Sequence, residues 1–259
     1  MNKLFRTFFI FLLLLSARSG VSAPLEIRDN RHSDNTYSVK QAVSNNIDGL
    51  YAIPSSSPII KQKFDSLTKL YAQADSAQQE LSSLLHYIGQ QCDAQIVQPP
   101  IKSYQRAQQK VASKFAGDAS RITDINRASL IAHDIRQLMT VYQTLATQVD
   151  IMQVKNRFSA PKDSGYRDLN LLIKLPKTDM IAEIQLHLGE IANIKNGAEH
   201  LVYEQVQQIE RRAIDQQRQL TEFEQAHITK LRQDSHKQYH KAWLNYKRLD
   251  AVSELRASA

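Results

Sequence analysis

Two neighbouring stretches of alternating residues constrain the fold of this chain more than any other feature. Apolar residues occupy every second position of residues 169–175 and again of residues 180–188. A period of two is typical of β-strands with one buried face. In the second stretch the intervening positions carry Glu183, Gln185 and His187. Two such strands need helices to cover their apolar face, so the sequence predicts an α+β fold.

The rest of the chain supplies further strands and the helices. Apolar residues recur at helical spacing in Ile59–Cys92 and in Ile135–Leu145. Short strands are predicted at Ala128–Ala132 and at Ile151–Lys155. Residues 190–255 are rich in glutamine and in charges of both signs, which predicts long helices folded as a hairpin or a short coiled coil. The predicted architecture is a small mixed β-sheet packed with helices, flanked by an N-terminal helix and long C-terminal helices.

The first residues have the pattern of an export signal. Lys3 and Arg6 precede the unbroken apolar run Phe8–Leu15, and Val21–Ala23 resembles a cleavage site. The run is short for a helix that crosses a bilayer, so a signal peptide over residues 1–23 is predicted and a retained anchor is the alternative. No later segment is apolar enough to cross a membrane, so no stable span is expected once the signal is removed.

Composition divides the remaining chain into four segments. Pro99 and Pro100 mark the main boundary. The predicted segments are an irregular polar leader over 24–58, an N-terminal helical segment over 59–98, a central domain over 99–212, and a C-terminal helical extension over 213–259.

Charge favours anionic partners. The chain has 33 Lys and Arg against 26 Asp and Glu, a net charge of +7. Nucleotides, nucleic acid or lipid headgroups fit such a surface, and solubility alone is the alternative explanation. The single cysteine cannot form a disulfide within the chain.

Three cations recur at intervals of four residues in a predicted helix over Lys102–Phe115. Lys102, Arg106 and Lys110 would share one face of that helix. Like charges at this spacing repel one another unless an anion binds between them, and a triphosphate would neutralise all three. A solvated basic face is the alternative.

Two acids lie beside predicted strands. Asp124 precedes one strand, and Glu183 lies on the polar face of another. Carboxylates on neighbouring strands can hold Mg²⁺ and accept a proton, whereas a pair of surface or salt-bridged acids is the alternative.

A turn over residues 161–168 leads into the next strand. Its Tyr166 is suited to stacking on a base, and the nearby Lys155, Arg157 and Lys162 are suited to contacting phosphates. An ordinary polar hairpin turn with a core tyrosine is the alternative.

Taken in order, these segments resemble the synthetase domain of the RelA/SpoT family of nucleotide pyrophosphokinases, in its phage-like or toxin-like variant. The resemblance covers about 110 residues, over Ile101–Arg212. Its motifs are the ATP-side helix at 100–110, D-x-x-R-x-[ST] at 122–131, K-[DN]-x-[FI]-x-x-P-K-x-x-G-Y-[RQ]-[DS]-[LI] at 155–170, E-[IV]-Q-[IL] at 183–187, and K…H-x-x-Y-E at Lys195 and 200–204.

The resemblance implies a role for each motif residue. ATP would be bound by Lys102, Arg106, Lys110 and Arg127. Asp124 and Glu183 would be the catalytic residues and the Mg²⁺ ligands, with Glu183 activating the ribose 3′-hydroxyl. The acceptor nucleotide would meet Tyr166, stacked on guanine, together with Lys155, Lys162, Asn170, Gln185 and His187. Many members of the family have histidine at position 170 and arginine at position 187, so the acceptor stays open between GDP, GTP, an adenine nucleotide and an RNA 3′ end.

The function predicted from the sequence is transfer of pyrophosphate from ATP to the 3′-hydroxyl of a guanine nucleotide, with Mg²⁺ as cofactor and ATP and GDP or GTP as partners. The export signal together with the toxin-like motif predicts an exported protein that is delivered into another cell. The alternatives are a catalytically silent module that binds a nucleotide or RNA in the same cleft, pyrophosphorylation of an RNA 3′ end, and an exported helical scaffold.

Overall fold

The computed structural model describes residues 44–257. The predicted signal peptide and most of the predicted leader lie outside these residues. The elements in chain order are α1 (Ile47–Ala52), α2 (Leu67–Cys92), β1 (Gln95–Val97), α3 (Tyr104–Phe115), β2 (Arg127–Ala132), α4 (Ile135–Gln148), β3 (Asp150–Asn156), β4 (Leu169–Lys174), β5 (Ile181–Leu188), α5 (Gly189–Asn196), α6 (Ala198–Asp215) and α7 (Glu222–Ala257).

The five strands form one mixed sheet in the order β1-β2-β5-β4-β3. Strands β2 and β5 are parallel, and the other neighbouring strands are antiparallel. The predicted α+β class and mixed sheet are therefore confirmed. Strand β1 was not predicted, because its three residues are too few to show a period.

Alternation along the strands separates two faces of the sheet. Ile184 and Leu171 pair on the apolar face, which belongs to a single core with Leu85 of α2 and Leu138 of α4. Each of these side chains is fully buried, which stabilises the fold by roughly 1.5–3 kcal/mol per side chain. Helices α2 and α4 thus cover the face that the sequence marked as apolar.

The opposite face carries a row of polar residues across four strands. Ser129 pairs with Gln185, Gln185 with Asn170, and Asn170 with Lys155. Glu183 lies in the next row of the same face, paired with Arg127. This polar face is where the candidate site lies.

The end of the predicted irregular leader is ordered against the sheet, which corrects the expectation for residues 24–58 in its last part. Helix α1 begins because the Asn46 side chain accepts a hydrogen bond from the Gly49 amide. The hydroxyls of Ser55 and Ser56 then accept hydrogen bonds from backbone amides of β3. Strand β3 lies at the edge of the sheet, so this segment satisfies amides that would otherwise lack a partner.

The C-terminal helix contributes to the main core. Tyr239, Trp243 and Tyr246 of α7 are buried in the same hydrophobic cluster as the sheet. The predicted boundary between residues 212 and 213 falls inside α6. Among the residues that the structure describes, no helix combines the length and apolar character needed to span a bilayer.

Candidate active site

A cavity of about 610 Å³ lies beside the polar face of the sheet. Its walls come from β4, β5, the segment 157–166 and the helices α5, α6 and α7. A cavity of this size is within the range that holds nucleotides and other small ligands. The sequence-predicted site residues that line it are Lys162, Tyr166, Asn170, Glu183 and Gln185.

A buried hydrogen-bonded group forms one side of the cavity. The Tyr166 hydroxyl donates to Asp168 Oδ2 at 2.8 Å and lies 2.7 Å from His187 Nε2. Because the hydroxyl proton is directed to the carboxylate, we assign the Nε2–H tautomer to His187. Asp168 is 0% exposed and His187 is 1% exposed. Burial lowers the pKa of His187 well below its usual value, and the nearby Lys195 and Arg157 lower it further.

The Tyr166 ring is more buried than expected for a side chain that stacks on a base. The residue is 7% exposed, and burial raises the pKa of its hydroxyl well above the usual value. The Lys162 ammonium nitrogen lies 5.3 Å from the ring centroid, and the Tyr239 ring meets it edge-on at 5.6 Å. A base can stack on the covered face only if the Lys162 ammonium moves aside.

Arg157 enters the cavity from the end of β3. Its Nη1 donates to Asp168 Oδ1 at 2.6 Å, and its side chain is 19% exposed. Lys155, two residues earlier, is exposed on the edge strand and does not line the cavity. Of the three cations predicted to meet phosphates here, Arg157 and Lys162 therefore line the cavity and Lys155 does not.

Glu183 is joined to a cation through a glutamine. Gln185 Nε2 donates to Glu183 Oε1 at 3.1 Å, and Lys195 Nζ donates to Gln185 Oε1 at 2.8 Å. Glu183 and Gln185 share a face of β5 because they are two residues apart. Lys195 comes from α5, the helix that follows β5 directly. Because α5 follows β5 without a loop, it places the Lys195 ammonium close to the Glu183 carboxylate.

Asp124 forms a second charged group. Its Oδ2 lies 3.1 Å from Lys102 Nζ and 2.8 Å from Lys110 Nζ. Burial raises its pKa, but the two ammonium groups lower it more, so the pKa of Asp124 lies below its usual value. Its other oxygen, Oδ1, is buried without a hydrogen-bond partner in the described structure.

One detail of the predicted cation row is wrong. Helix α3 begins at Tyr104, because the Ser103 hydroxyl accepts from the Arg106 amide and caps the helix. Lys102 therefore precedes the helix, and it reaches Asp124 from the preceding loop. Arg106 lies on the helix with an exposed side chain.

The two predicted catalytic acids lie at corresponding ends of adjacent parallel strands. The Glu183 amide donates to the Asn126 carbonyl, two residues after Asp124. Arg127 pairs with Glu183 in the register of β2 and β5. Glu183 lines the cavity of 610 Å³, whereas Asp124 does not.

Helix α7 closes the cavity, and no sequence motif pointed to it. A Cβ atom at Gly165, where φ is +79°, would lie 3.2 Å from His236 Cα, so the turn packs closely on this helix. Tyr239 donates to Glu199 Oε2 at 3.0 Å, and Arg232 pairs with Glu210 at 2.8 Å. Glu199 is buried, and burial raises its pKa above the usual value.

Burial of His187 predicts how the stability of the fold depends on pH. Below about pH 6.5 an unfolded chain binds a proton at His187 that the folded chain does not bind. The free energy of unfolding should therefore fall by about 1.4 kcal/mol per pH unit below that value, and recover as the pH rises. Denaturant unfolding at pH 7 and pH 5 should show a loss about 1–2 kcal/mol larger in the unmodified chain than in His187→Gln. Equal losses in the two proteins would contradict this assignment.

Comparison with known proteins gives one curated relative. The (p)ppApp synthetase toxin Tas1 of Pseudomonas aeruginosa strain UCBPP-PA14 is 27% identical over 127 residues. The match covers 49% of this chain and 28% of that protein, so it spans less than a third of the relative's length. No protein-family model matches the chain.

Several solved structures have the same fold as this chain. Small alarmone synthetase 2 of Bacillus subtilis superposes with a TM-score of 0.57 at 18% identity, covering 72% of this chain and 97% of that one. Small alarmone synthetase 1 of the same organism gives 0.55 at 14%, covering 76% and 100%. The type VI effector Tas1, solved with its immunity protein, gives 0.51 at 20%, covering 67% and 94%. The described chain therefore has the fold of a RelA/SpoT-like synthetase domain.

Proposed function

We propose that this chain transfers pyrophosphate from ATP to the 3′-hydroxyl of a guanine nucleotide. The observation that carries the proposal is Glu183 on the wall of the cavity, joined through Gln185 to Lys195. A carboxylate beside cations in a nucleotide-sized cavity suits a reaction that needs positioning and charge neutralisation. The five-stranded sheet does not fit the helical-scaffold alternative.

In the proposed reaction, the acceptor 3′-oxygen attacks the β-phosphorus of ATP. Glu183 accepts the hydroxyl proton, a bond forms between the 3′-oxygen and the β-phosphorus, and the bond from that phosphorus to the α–β bridging oxygen breaks. AMP leaves with the bridging oxygen, and the acceptor gains the β- and γ-phosphoryl groups. General-base assistance of this kind typically contributes 10²–10⁴-fold in rate.

Asp124 and Glu183 fit a role in holding Mg²⁺. The unpartnered Asp124 Oδ1 is an oxygen of the kind that Mg²⁺ prefers, and Mg²⁺ commonly uses one or two carboxylates together with substrate phosphates. No group of three or more metal-binding side chains occurs within the described residues. Substrate phosphates would complete the coordination of the ion. The ion would supply charge neutralisation at the transferred phosphates.

The ATP side of the site would be formed around Asp124. Lys102 and Lys110 both form ion pairs with Asp124. Burial lowers the pKa of Lys102, and the nearby Arg127 lowers it further, which shows that Arg127 lies close to this group. We propose that these three cations and Arg106 bind the ATP phosphates. Each contact with an ionised phosphate oxygen would be a charge-assisted hydrogen bond.

The acceptor side would be formed around Tyr166. We propose that it stacks on the base once the Lys162 ammonium moves, with Asn170 and Gln185 along the cavity wall. His187 would not contact the nucleotide itself, but would hold the Tyr166 hydroxyl in place through their hydrogen bond. Lys155 would reach the nucleotide only at the cavity edge. An adenine nucleotide is the second candidate acceptor, because the curated relative is named a (p)ppApp synthetase.

The proposal is tested by incubating the purified chain with γ-labelled ATP and Mg²⁺. GDP, GTP, ADP, ATP and tRNA are offered separately as acceptors, and labelled product and AMP are measured. Equal amounts of AMP and of a labelled 3′-pyrophosphorylated guanine nucleotide are expected. Product on adenine alone would favour the second candidate, and nucleotide binding without transfer would favour the silent module.

We also propose export followed by delivery into another cell. The basic and apolar start of the sequence supports export, and the related Tas1 is a type VI effector. Mass measurement of the exported protein should show that the first residues, about to Ala23, have been removed. Intact Met1 on protein confined to the cytoplasm would contradict export.

A further inference from the structure

One side of α7 points away from the domain and carries a row of cations. The four exposed residues of this outer row are Lys230, Lys237, Lys241 and Arg248. Their spacing of seven, four and seven residues places them within about 40° of one another around the helix and over about 27 Å of its length. Tyr239 and Trp243, which are buried in the core, lie on the opposite side of the helix. The outer row therefore faces solvent.

The acids of α7 leave most of this positive charge unpaired. Asp250 and Glu254 accept hydrogen bonds from the segment that begins α1, and Glu224 forms an ion pair with the preceding loop. Asp234 forms an ion pair with one member of the outer row, Lys237, at 3.0 Å. The other three members form no ion pair within the residues that the structure describes. The outer side of α7 thus carries a surplus of positive charge, which favours an anionic partner.

Exposed apolar side chains lie on the same side of α7 as the cations. Leu244 falls between Lys241 and Arg248 and is 50% exposed. Val252 and Leu255 follow the outer row toward the C-terminal end of the helix, and they are 42% and 72% exposed. Apolar side chains gain free energy when a partner removes them from water. The partner of this surface therefore needs an apolar region as well as negative charge.

A groove of about 640 Å³ lies beside the outer row, between α5 and α7. Its apolar lining comes from Ile194, Ala242 and Leu244, and its cations are Lys241 and Arg248. The acid of the groove, Glu190, accepts a hydrogen bond from Asn245 at 2.8 Å, and Arg248 donates to the same asparagine at 3.0 Å. The groove repeats on a smaller scale the combination of cations and apolar side chains that the whole outer side of α7 shows.

A bilayer that contains anionic lipids matches both features. Its phosphate groups attract lysine and arginine side chains, and its boundary between headgroups and acyl chains takes up exposed leucine and valine side chains. A nucleic acid would match the cations, because it binds through its phosphates. It would leave the leucine and valine side chains without a partner, since bases stack on aromatic or guanidinium groups.

We infer that the outer row of α7, together with Leu244, Val252 and Leu255, docks on the surface of an anionic bilayer. The helix lies in the plane of that surface, and its inner side stays packed on the domain. The cations contact lipid phosphates, and the three apolar side chains enter the boundary below the headgroups. The inference does not depend on the proposed reaction, because none of these residues lines the cavity of the candidate active site.

Co-sedimentation of the full chain with lipid vesicles tests the inference. Vesicles of phosphatidylcholine alone are compared with vesicles that also contain phosphatidylglycerol, and binding to the anionic vesicles is expected to be at least about tenfold tighter. The triple variant Lys230→Gln, Lys237→Gln, Lys241→Gln should weaken binding to the anionic vesicles by about 100-fold, since each cation at such a surface contributes about fivefold. The apolar run near the N-terminus is the same in every variant, so its effect cancels in the comparison.

The matched control removes three exposed lysines from other elements. Lys69→Gln, Lys114→Gln, Lys177→Gln lowers the net charge by the same amount, but it should weaken binding to the anionic vesicles by less than about threefold, because charges away from the surface are screened by salt. Equal losses in the two triple variants would overturn the inference, as would equal binding of the unmodified chain to both kinds of vesicle.

A pair of leucine changes separates a bilayer from a nucleic acid. Leu244→Gln with Leu255→Gln should weaken binding to the anionic vesicles by about tenfold, because two apolar side chains no longer enter the bilayer. Leu201→Gln with Ile214→Gln, both exposed on α6, should change it by less than about twofold. Full vesicle binding by the leucine variant, or tighter binding of the unmodified chain to a single-stranded oligonucleotide than to the anionic vesicles, would overturn the inference. All the replaced side chains are exposed, and unchanged circular dichroism confirms that each variant is folded.

Discussion

Glu183→Gln is expected to lower pyrophosphate transfer by about 10³-fold while the chain stays folded. The amide is similar in size to the carboxylate, but it cannot accept a proton at neutral pH and is a weaker ligand for a divalent cation. Gln185 can still reach the remaining oxygen, so the hydrogen-bonded chain to Lys195 should persist. The measurement is the initial rate of AMP and labelled product formation at saturating ATP.

The matched control is Glu222→Gln. Glu222 is exposed at the start of α7, and its change removes the same charge away from the cavity. It should leave the rate unchanged. If Glu183→Gln retained a rate within about threefold of the unmodified chain, another group would have to accept the proton, since general-base loss costs at least about 10²-fold.

Trp243→Ala is expected to lower the free energy of unfolding by about 3–5 kcal/mol. Trp243 is 3% exposed, and its ring lies 5.4 Å from the Phe158 ring and 6.0 Å from the Tyr51 ring. The Arg167 guanidinium lies 5.5 Å from the same ring centroid. Removing the indole leaves a cavity between α7 and the segment that follows β3. Urea unfolding followed by circular dichroism gives the change directly.

Leu255→Ala is the control on the same helix. Leu255 is 72% exposed, so its removal should change stability by no more than about 0.5 kcal/mol. A loss below about 1 kcal/mol for Trp243→Ala would show that α7 packs only loosely on the domain, because a buried tryptophan in a tight core costs much more. The cavity wall that α7 supplies would then be mobile as well.

The local pattern of the sequence was sufficient to predict the two central antiparallel strands, β4 and β5. The alternation in residues 169–175 and 180–188 predicted β4 and β5, and it placed Glu183, Gln185 and His187 on one face. This works because a strand period is set by the backbone itself and does not depend on distant partners.

The same alternation did not predict how open each side chain on that face would be. His187 is buried, because the Tyr166 hydroxyl and Asp168 lie against it, whereas Glu183 borders the cavity. Lys155 shares the sheet face with Asn170, but it lies on the edge strand and stays exposed. Position within the sheet decided these differences, and sequence period carries no information about strand order.

The sequence by itself determined the longer helices, strands β2 to β5, the polar face of the sheet and the motif residues along it, because these depend on neighbours a few positions apart. Only the tertiary structure decided that α7 closes the cavity and that Arg157 lines it whereas Lys155 does not. It also decided that Lys195 is hydrogen-bonded to Gln185, which in turn donates to Glu183. Tyr166 and Tyr239 are more than 70 residues apart in the chain, yet their rings lie 5.6 Å apart. Contacts of this kind arise from packing of whole elements, and no local pattern specifies them.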